Sequence, residues 1–157
     1  MDRQVRPGRV LGRHCQLRHD HGLRHLYVAM TRAVQHLGLV AIVVPDYDAA
    51  IAFYVGVLGF TLVEDTYQPT QDKRWVVVAP PGAKESHLLI ARATTDAQRA
   101  SIGNQTGGRV FLFLYTDDFA RDFELYKARG VKFVREPKAE QYGTVAVFQD
   151  PFGNLWD

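Results

Sequence analysis

One cysteine and two methionines in 157 residues exclude several explanations at the outset. A lone thiol, Cys15, forms no disulfide within the chain, so the fold must rest on its core rather than on covalent staples. No apolar run approaches the roughly 20 residues of a membrane span. Nor is there the unbroken apolar stretch of ~7–15 residues that a secretory signal requires; Leu26-Tyr-Val-Ala-Met30 is too short. These absences point to a cytoplasmic protein with no membrane partner. Lysine is missing from residues 1–35, where seven arginines (Arg3, Arg6, Arg9, Arg13, Arg18, Arg24, Arg32) meet only two acids, Asp2 and Asp20. That segment has a surplus of five positive charges, so with a total of +2 the remainder carries −3. The positive charge therefore does not belong to the folding part, which lacks the basic stripe of a nucleic-acid binder.

Residues 1–35 also lack any sustained apolar period. Cys15, His19, His21 and His25 form a loose cluster that meets no standard zinc spacing. The Arg-rich, acid-poor character leaves an organellar transit peptide as an alternative. The expectation is an unstructured extension, with Met30 as a candidate natural start.

What is present from residue 36 onward is periodic. Leu39-Val-Ala-Ile-Val-Val44 is a continuous aliphatic run, the signature of a strand buried on both faces. Pro45 and Asp46 follow, and then Ala50, Phe53, Tyr54, Val57 and Leu58 recur at spacings of three and four. That pattern predicts a helix over about 46–58, capped by Asp46 and ended by Gly59. Strands are expected at about 60–67, 73–79 and 86–92, the second stopped by Pro80-Pro81. A long connection, 94–108, holds a possible short helix at 96–101; loops of this length are often functional. The order then repeats. An apolar strand is expected at 108–115, a helix over 117–130 opened by Asp117, a strand at 131–135 broken by Pro137, and further strands at 144–148 and 154–157. A shift of 71 residues overlays Asp46 on Asp117, Gly59 on Gly130, Leu62 on Phe133 and Val63 on Val134. Such a repeat decides the architecture. The fold class is α+β, with two βαβββ modules (about 37–94 and 107–157) forming a curved mixed sheet around a cleft, helices on the outer face. Each module is too small to bury its sheet alone.

Ala49-Ala-Ile-Ala-Phe-Tyr54 leading into Leu58-Gly-Phe60, the paired modules, and the closing Phe148-Gln-Asp-Pro-Phe-Gly-Asn154 together resemble the vicinal oxygen chelate superfamily. This is the group of glyoxalase I, the bleomycin resistance proteins and the extradiol dioxygenases. The resemblance covers about residues 37–157. It implies a homodimer and a small organic ligand, and it is far more specific for fold than for reaction. Members of that family that use metal carry His or Glu on strands at four places around the cleft. By position these fall on Leu39, on Ile90 or Ala91, on Phe111 and on Asp157, of which only Asp157 could ligate. His36 stands three residues before Leu39, a shift that turns a strand side chain to the opposite face. One carboxylate does not hold a catalytic divalent ion, since zinc sites take three or four protein ligands. No cofactor is therefore expected; the alternative is a divalent metal held by a rearranged set of His36, His87 and Asp157. The family's last strand usually runs further, which makes Asp157 a candidate truncation point.

Strand alternation places Leu39, Ala41 and Val43, and Phe111, Phe113 and Tyr115, toward the cleft. Val40, Ile42, Val44, Val110, Leu112 and Leu114 face the helices. An aromatic, sparsely charged lining suits a flat or amphipathic ligand, although each ring taken alone also fits a packing role. Trp75 could stack on a ligand, His87 could act as a base, Arg109 beside Gly107-Gly108 could grip an acid, and Tyr142 could lend its hydroxyl. The candidate ligand-binding set is thus Leu39, Trp75, His87, Arg109, Phe111, Phe113, Tyr115 and Tyr142. The expected function is binding of an aromatic or amphipathic compound, as in antibiotic resistance by sequestration. A metal-dependent lyase or dioxygenase is the alternative.

Overall fold

The aliphatic run forms strand β1, Leu39–Val44, but it is not buried on both faces as its continuous apolar character suggested. Ile42 and Val44 are buried against the helix side, while Leu39 and Ala41, on the other face, are exposed because nothing among the described residues covers them. In the computed structural model, the described residues are 35–157; the Cys15, His19, His21 and His25 cluster and Met30 lie outside them. Asp46 caps the first helix, its Oδ1 accepting the Ala49 N–H at 2.8 Å. The helix is not uniform: an α-helical turn, α1 (Tyr47–Ile51), continues as a π-helical stretch, Ala52–Val57. Gly59 then turns the chain at φ +76°.

The π stretch explains an irregularity in the repeat. The second helix, which we label α3 (Phe119–Ala128), is capped by Asp118, whose carboxylate accepts the Arg121 N–H, and not by Asp117. Its closing glycine, Gly130, again has positive φ. Cap to glycine is therefore thirteen residues in the first module and twelve in the second. A π-helical stretch is how a helix absorbs one extra residue. Here it lets the consecutive rings of Phe53 and Tyr54 both be buried. Asp117 instead pairs with the Arg121 guanidinium at 2.8 Å.

The first module continues with β2 (Thr61–Gln68), β3 (Lys73–Ala79) and β4 (His87–Arg92), in the spatial order β1-β4-β3-β2. β1 runs parallel to β4, and the other pairs are antiparallel. The connection to the second module carries α2, Asp96–Ser101, with a reciprocal cap between Thr95 and Gln98. Its long loop has a structural task. The Gln105 side chain accepts the Val43 N–H at 2.5 Å and donates to the Ala41 carbonyl at 3.3 Å, satisfying part of the exposed edge of β1.

The second module comprises β5 (Val110–Leu112), α3, β6 (Lys132–Glu140), β7 (Gly143–Gln149) and β8 (Leu155–Trp156), in the order β5-β8-β7-β6. Two expectations are corrected. β5 is three residues long rather than spanning 108–115, because its partner β8 has only two residues and the pairing is irregular between Val110 and Leu112. β6 runs through Pro137, which the sequence pattern marks as a break. β6 is an edge strand, and its register skips between Arg135 and Lys138, so the proline owes no hydrogen bond there.

The two modules share one buried core, and a buried carboxylate links them by hydrogen bonds. Asp150 is 3% exposed. Its Oδ1 accepts the N–H groups of Phe152 and Asn154, each at 2.9 Å. Its Oδ2 accepts the Asn154 side-chain amide at 2.8 Å and the Tyr54 hydroxyl at 2.7 Å. The Asp-Pro-Phe-Gly-Asn turn is thus built around one carboxylate whose last lone pair reaches the first helix. The Tyr54 ring also stands 5.9 Å from Trp156 and 6.0 Å from Phe60, so the helix of one module packs against the last strand of the other.

Burial, then the neighbouring Asp150 charge and hydrogen bond, push the Tyr54 phenol well above its ordinary 10.0. The unfolded chain therefore ionises Tyr54 first as pH rises. Its contribution to stability is complete below about pH 10 and is lost above it, by up to about 1.4 kcal/mol per pH unit. Unfolding free energy measured in urea from pH 9 to 11.5 should fall more steeply in the wild type than in Tyr54→Phe.

Candidate functional site

Helix α3 has no buried residue, although Phe119, Phe123 and Tyr126 form an apolar face. An amphipathic helix ordinarily hides such a face. Here the face meets β6 and β7 only in part: Phe123 lies 4.5 Å from Phe133, and Tyr126 lies 6.0 Å from Phe148. The uncovered remainder opens on a cavity of about 1150 Å³. One wall is α3, another is Tyr142 and the start of β7 (Gly143 to Ala146) with Phe133, and the first module supplies Leu58, Gly59, Pro80 and Pro81. Eight aromatic side chains contribute to the lining, which makes it an apolar container with polar groups at intervals.

The polar groups have definite states. Asp122 accepts from the Arg121 guanidinium and from the Thr116 hydroxyl. The Arg121 hydrogen bond in particular lowers its carboxyl below the usual carboxylate range. Arg121 is held by both Asp117 and Asp122. Tyr126 has its phenol raised, first by burial and then by the Asp122 charge; it stays neutral at physiological pH. Arg129 donates to the Val57 carbonyl at 2.8 Å. Asp157 lines the cavity while its backbone N–H and C=O pair with Leu112 and Leu114.

The residues singled out in the sequence separate into groups. Phe113, Tyr115 and Tyr142 line the cavity, and are exposed by 64%, 92% and 82%. Phe111 is partly buried against the core and is not among the lining residues. Leu39, Trp75 and His87 belong to the first sheet, on the face opposite the buried Ile42, Val76, Val78, Leu88 and Ile90. Leu39 and His87 are register neighbours, and the His87 Nε2 is shielded from solvent without a hydrogen-bond partner. Arg109 is exposed, and its backbone carbonyl accepts from the Thr106 hydroxyl. The aromatic face of α3 was not among the candidate site residues; nothing in its spacing announces that the sheet beneath leaves it half uncovered.

The donor set does not fit a divalent ion. Of the four family positions, Ile90 is in the core, Phe111 packs against it, and Leu39 lies on an edge strand. Among the described residues no group of three or more His, Cys, Asp or Glu gathers, so His36, His87 and Asp157 do not converge.

Residues 35–157 match the model of the Glyoxalase/Bleomycin resistance protein/Dioxygenase superfamily. An uncharacterised protein of Shewanella frigidimarina (strain NCIMB 400) is 59% identical over 128 residues, covering 82% of this chain and 93% of its own. The crystal structure of UcmS2 aligns with a TM-score of 0.69 at 29% identity, covering 79% of this chain and 96% of that one. TnmS3, an antibiotic binding protein from Streptomyces sp. CB03234, aligns with a TM-score of 0.62 at 34% identity, covering 79% and 93%. No helix among the described residues is long and apolar enough to cross a membrane.

Proposed function

Because the chain belongs to the Glyoxalase/Bleomycin resistance protein/Dioxygenase superfamily, we propose that it uses this scaffold to bind an aromatic or amphipathic small molecule without metal chemistry. The observation that carries the reading is the half-uncovered aromatic face of α3 above a cavity of about 1150 Å³. Apolar surface left open to water in a folded domain marks a place where something else sits. An antibiotic binding protein of similar fold supports a small-molecule ligand, and sequestration of such a compound in the cytoplasm would confer resistance to it. Phe113, Tyr115 and Tyr142 would hold the ring system. Leu39, Trp75 and His87 would form a second contact surface on the face of the first sheet away from its helix, covered in a homodimer by another copy of the chain. The exposure of Leu62 and Val63 on β2 and of Val134 on β6 supports such a partner. Arg109 and Phe111, which do not line the cavity, would take no part in holding the ligand.

Nile red, a neutral planar dye, should bind the chelator-treated protein with enhanced fluorescence. The double variant Phe113→Ala/Tyr115→Ala, at exposed positions that leave the core intact, should bind it about 5- to 150-fold more weakly, since each aromatic contact contributes about 0.5–1.5 kcal/mol. Binding that appears only after a divalent ion is added would instead favour the metal-dependent lyase or dioxygenase reading.

A further inference from the structure

We propose that the cavity selects ligands that carry a protonated amine beside their aromatic part. The inference rests on the binding role given to this cavity and adds the charge of its occupant. Its carboxylates are Asp117, Asp122 and Asp157, and its cations are Arg121 and Arg129. Arg121 is spent on its own neighbours, paired with Asp117 at 2.8 Å and with Asp122 at 2.8 Å. Arg129 has turned to the Val57 carbonyl at 2.8 Å, and it also lines a separate, smaller pocket with Val57 and Lys132. Asp157 is different. No ion pair or side-chain hydrogen bond engages its carboxylate among the described residues, while its backbone is held by Leu112 and Leu114. The cavity thus presents one uncommitted negative group and a one-charge negative balance.

The walls favour the same sign. Phe113, Tyr115, Phe119 and Tyr142 carry rings with negative faces, and a cation within ~6 Å of such a face is attracted, Lys and Arg side chains included. The effect operates within this helix already, where the Lys127 ammonium stands 5.6 Å from the Phe123 ring centroid. An ammonium near Asp157 would gain both the Coulomb attraction of the carboxylate and the ring quadrupoles. A carboxylate ligand would meet repulsion from the same groups.

Three matched probes separate the possibilities: 1-naphthylmethylamine, 1-naphthalenemethanol and 1-naphthoate, a cation, a neutral molecule and an anion on one ring system. Calorimetric titration of the full chain at pH 7 and low salt, where surface charges are least screened, should rank amine above alcohol above acid. The amine should bind about tenfold more tightly than the alcohol, equivalent to about 1.4 kcal/mol. Asp157→Asn, which keeps the backbone pairing with Leu112 and Leu114, should bring the two within about threefold by weakening only the amine. Equal affinities in the wild type, or a preference that survives Asp157→Asn, would overturn the inference and leave the aromatic cavity standing. Failure of all three probes to bind would overturn both.

Discussion

Replacing Asp150 by alanine is expected to cost about 3–5 kcal/mol of stability, the range for removing one partner of a buried charged network. The carboxylate is 3% exposed and takes four hydrogen bonds, from two backbone amides, one side-chain amide and the Tyr54 hydroxyl. Truncation leaves all four donors unpaired in a space closed to water. Tyr54→Phe removes only one of the four and leaves the turn intact, so about 1–2 kcal/mol is expected. Urea denaturation of the three proteins distinguishes this account from one in which the turn is merely a tight loop. In that case Asp150→Ala would cost no more than Tyr54→Phe. A Tyr54→Phe/Asp150→Ala double variant should be less destabilised than the sum of the two, because both remove the same bond.

The second large effect is at Gly103. Its φ is +69°, and a Cβ placed there would stand 2.1 Å from the Phe152 carbonyl oxygen and 3.0 Å from the Gly153 Cα. Both obstacles are backbone, so no side chain can swing aside. Gly103→Ala must therefore move the linker away from the Asp150–Asn154 turn, and a loss of about 3 kcal/mol or more is expected. Gly107→Ala is the control. Its φ of +65° imposes similar backbone strain, but open space surrounds the added methyl, so only about 1 kcal/mol should be lost. Comparable midpoints for the two variants would mean that the close approach of the linker to the turn is not present in solution.

These two positions show what the sequence made legible and what it did not. Asp46, Gly59 and the duplication were readable because each depends on local chemistry or spacing: a cap, a positive φ, a repeated order of elements; the apolar run of β1 announced a strand but not its one open face. Asp117 and Asp118 are adjacent and chemically identical, so the repeat alone pointed to the wrong one of the pair; the π-helical stretch that shifts the register depends on packing Phe53 and Tyr54 together. Pro137 reads as a break in isolation, and only the position of β6 at a sheet edge makes it harmless. Tyr54 and Asp150 lie 96 residues apart, and no periodicity links them; the motif was recognisable as a family signature without the bond that explains it. The site divides in the same way. Phe113 and Tyr115 stood out by strand alternation, although each ring alone also fitted a packing role, and Tyr142 stood out by its place beside Gly143. Phe119, Phe123 and Tyr126 have the spacing of an ordinary buried helix face, and the cavity beside them depends on how β6, β7 and the first module leave that face partly uncovered.

The claim of metal-independent binding is tested most directly by thermal unfolding of the purified protein against a panel of aromatic antibiotics, each with and without a chelator. The account predicts that at least one compound raises the melting temperature by the same amount in both conditions, by about 2.7 kcal/mol of added stability at one hundred times its dissociation constant. Stabilisation that vanishes with chelator and returns with a divalent ion would contradict it.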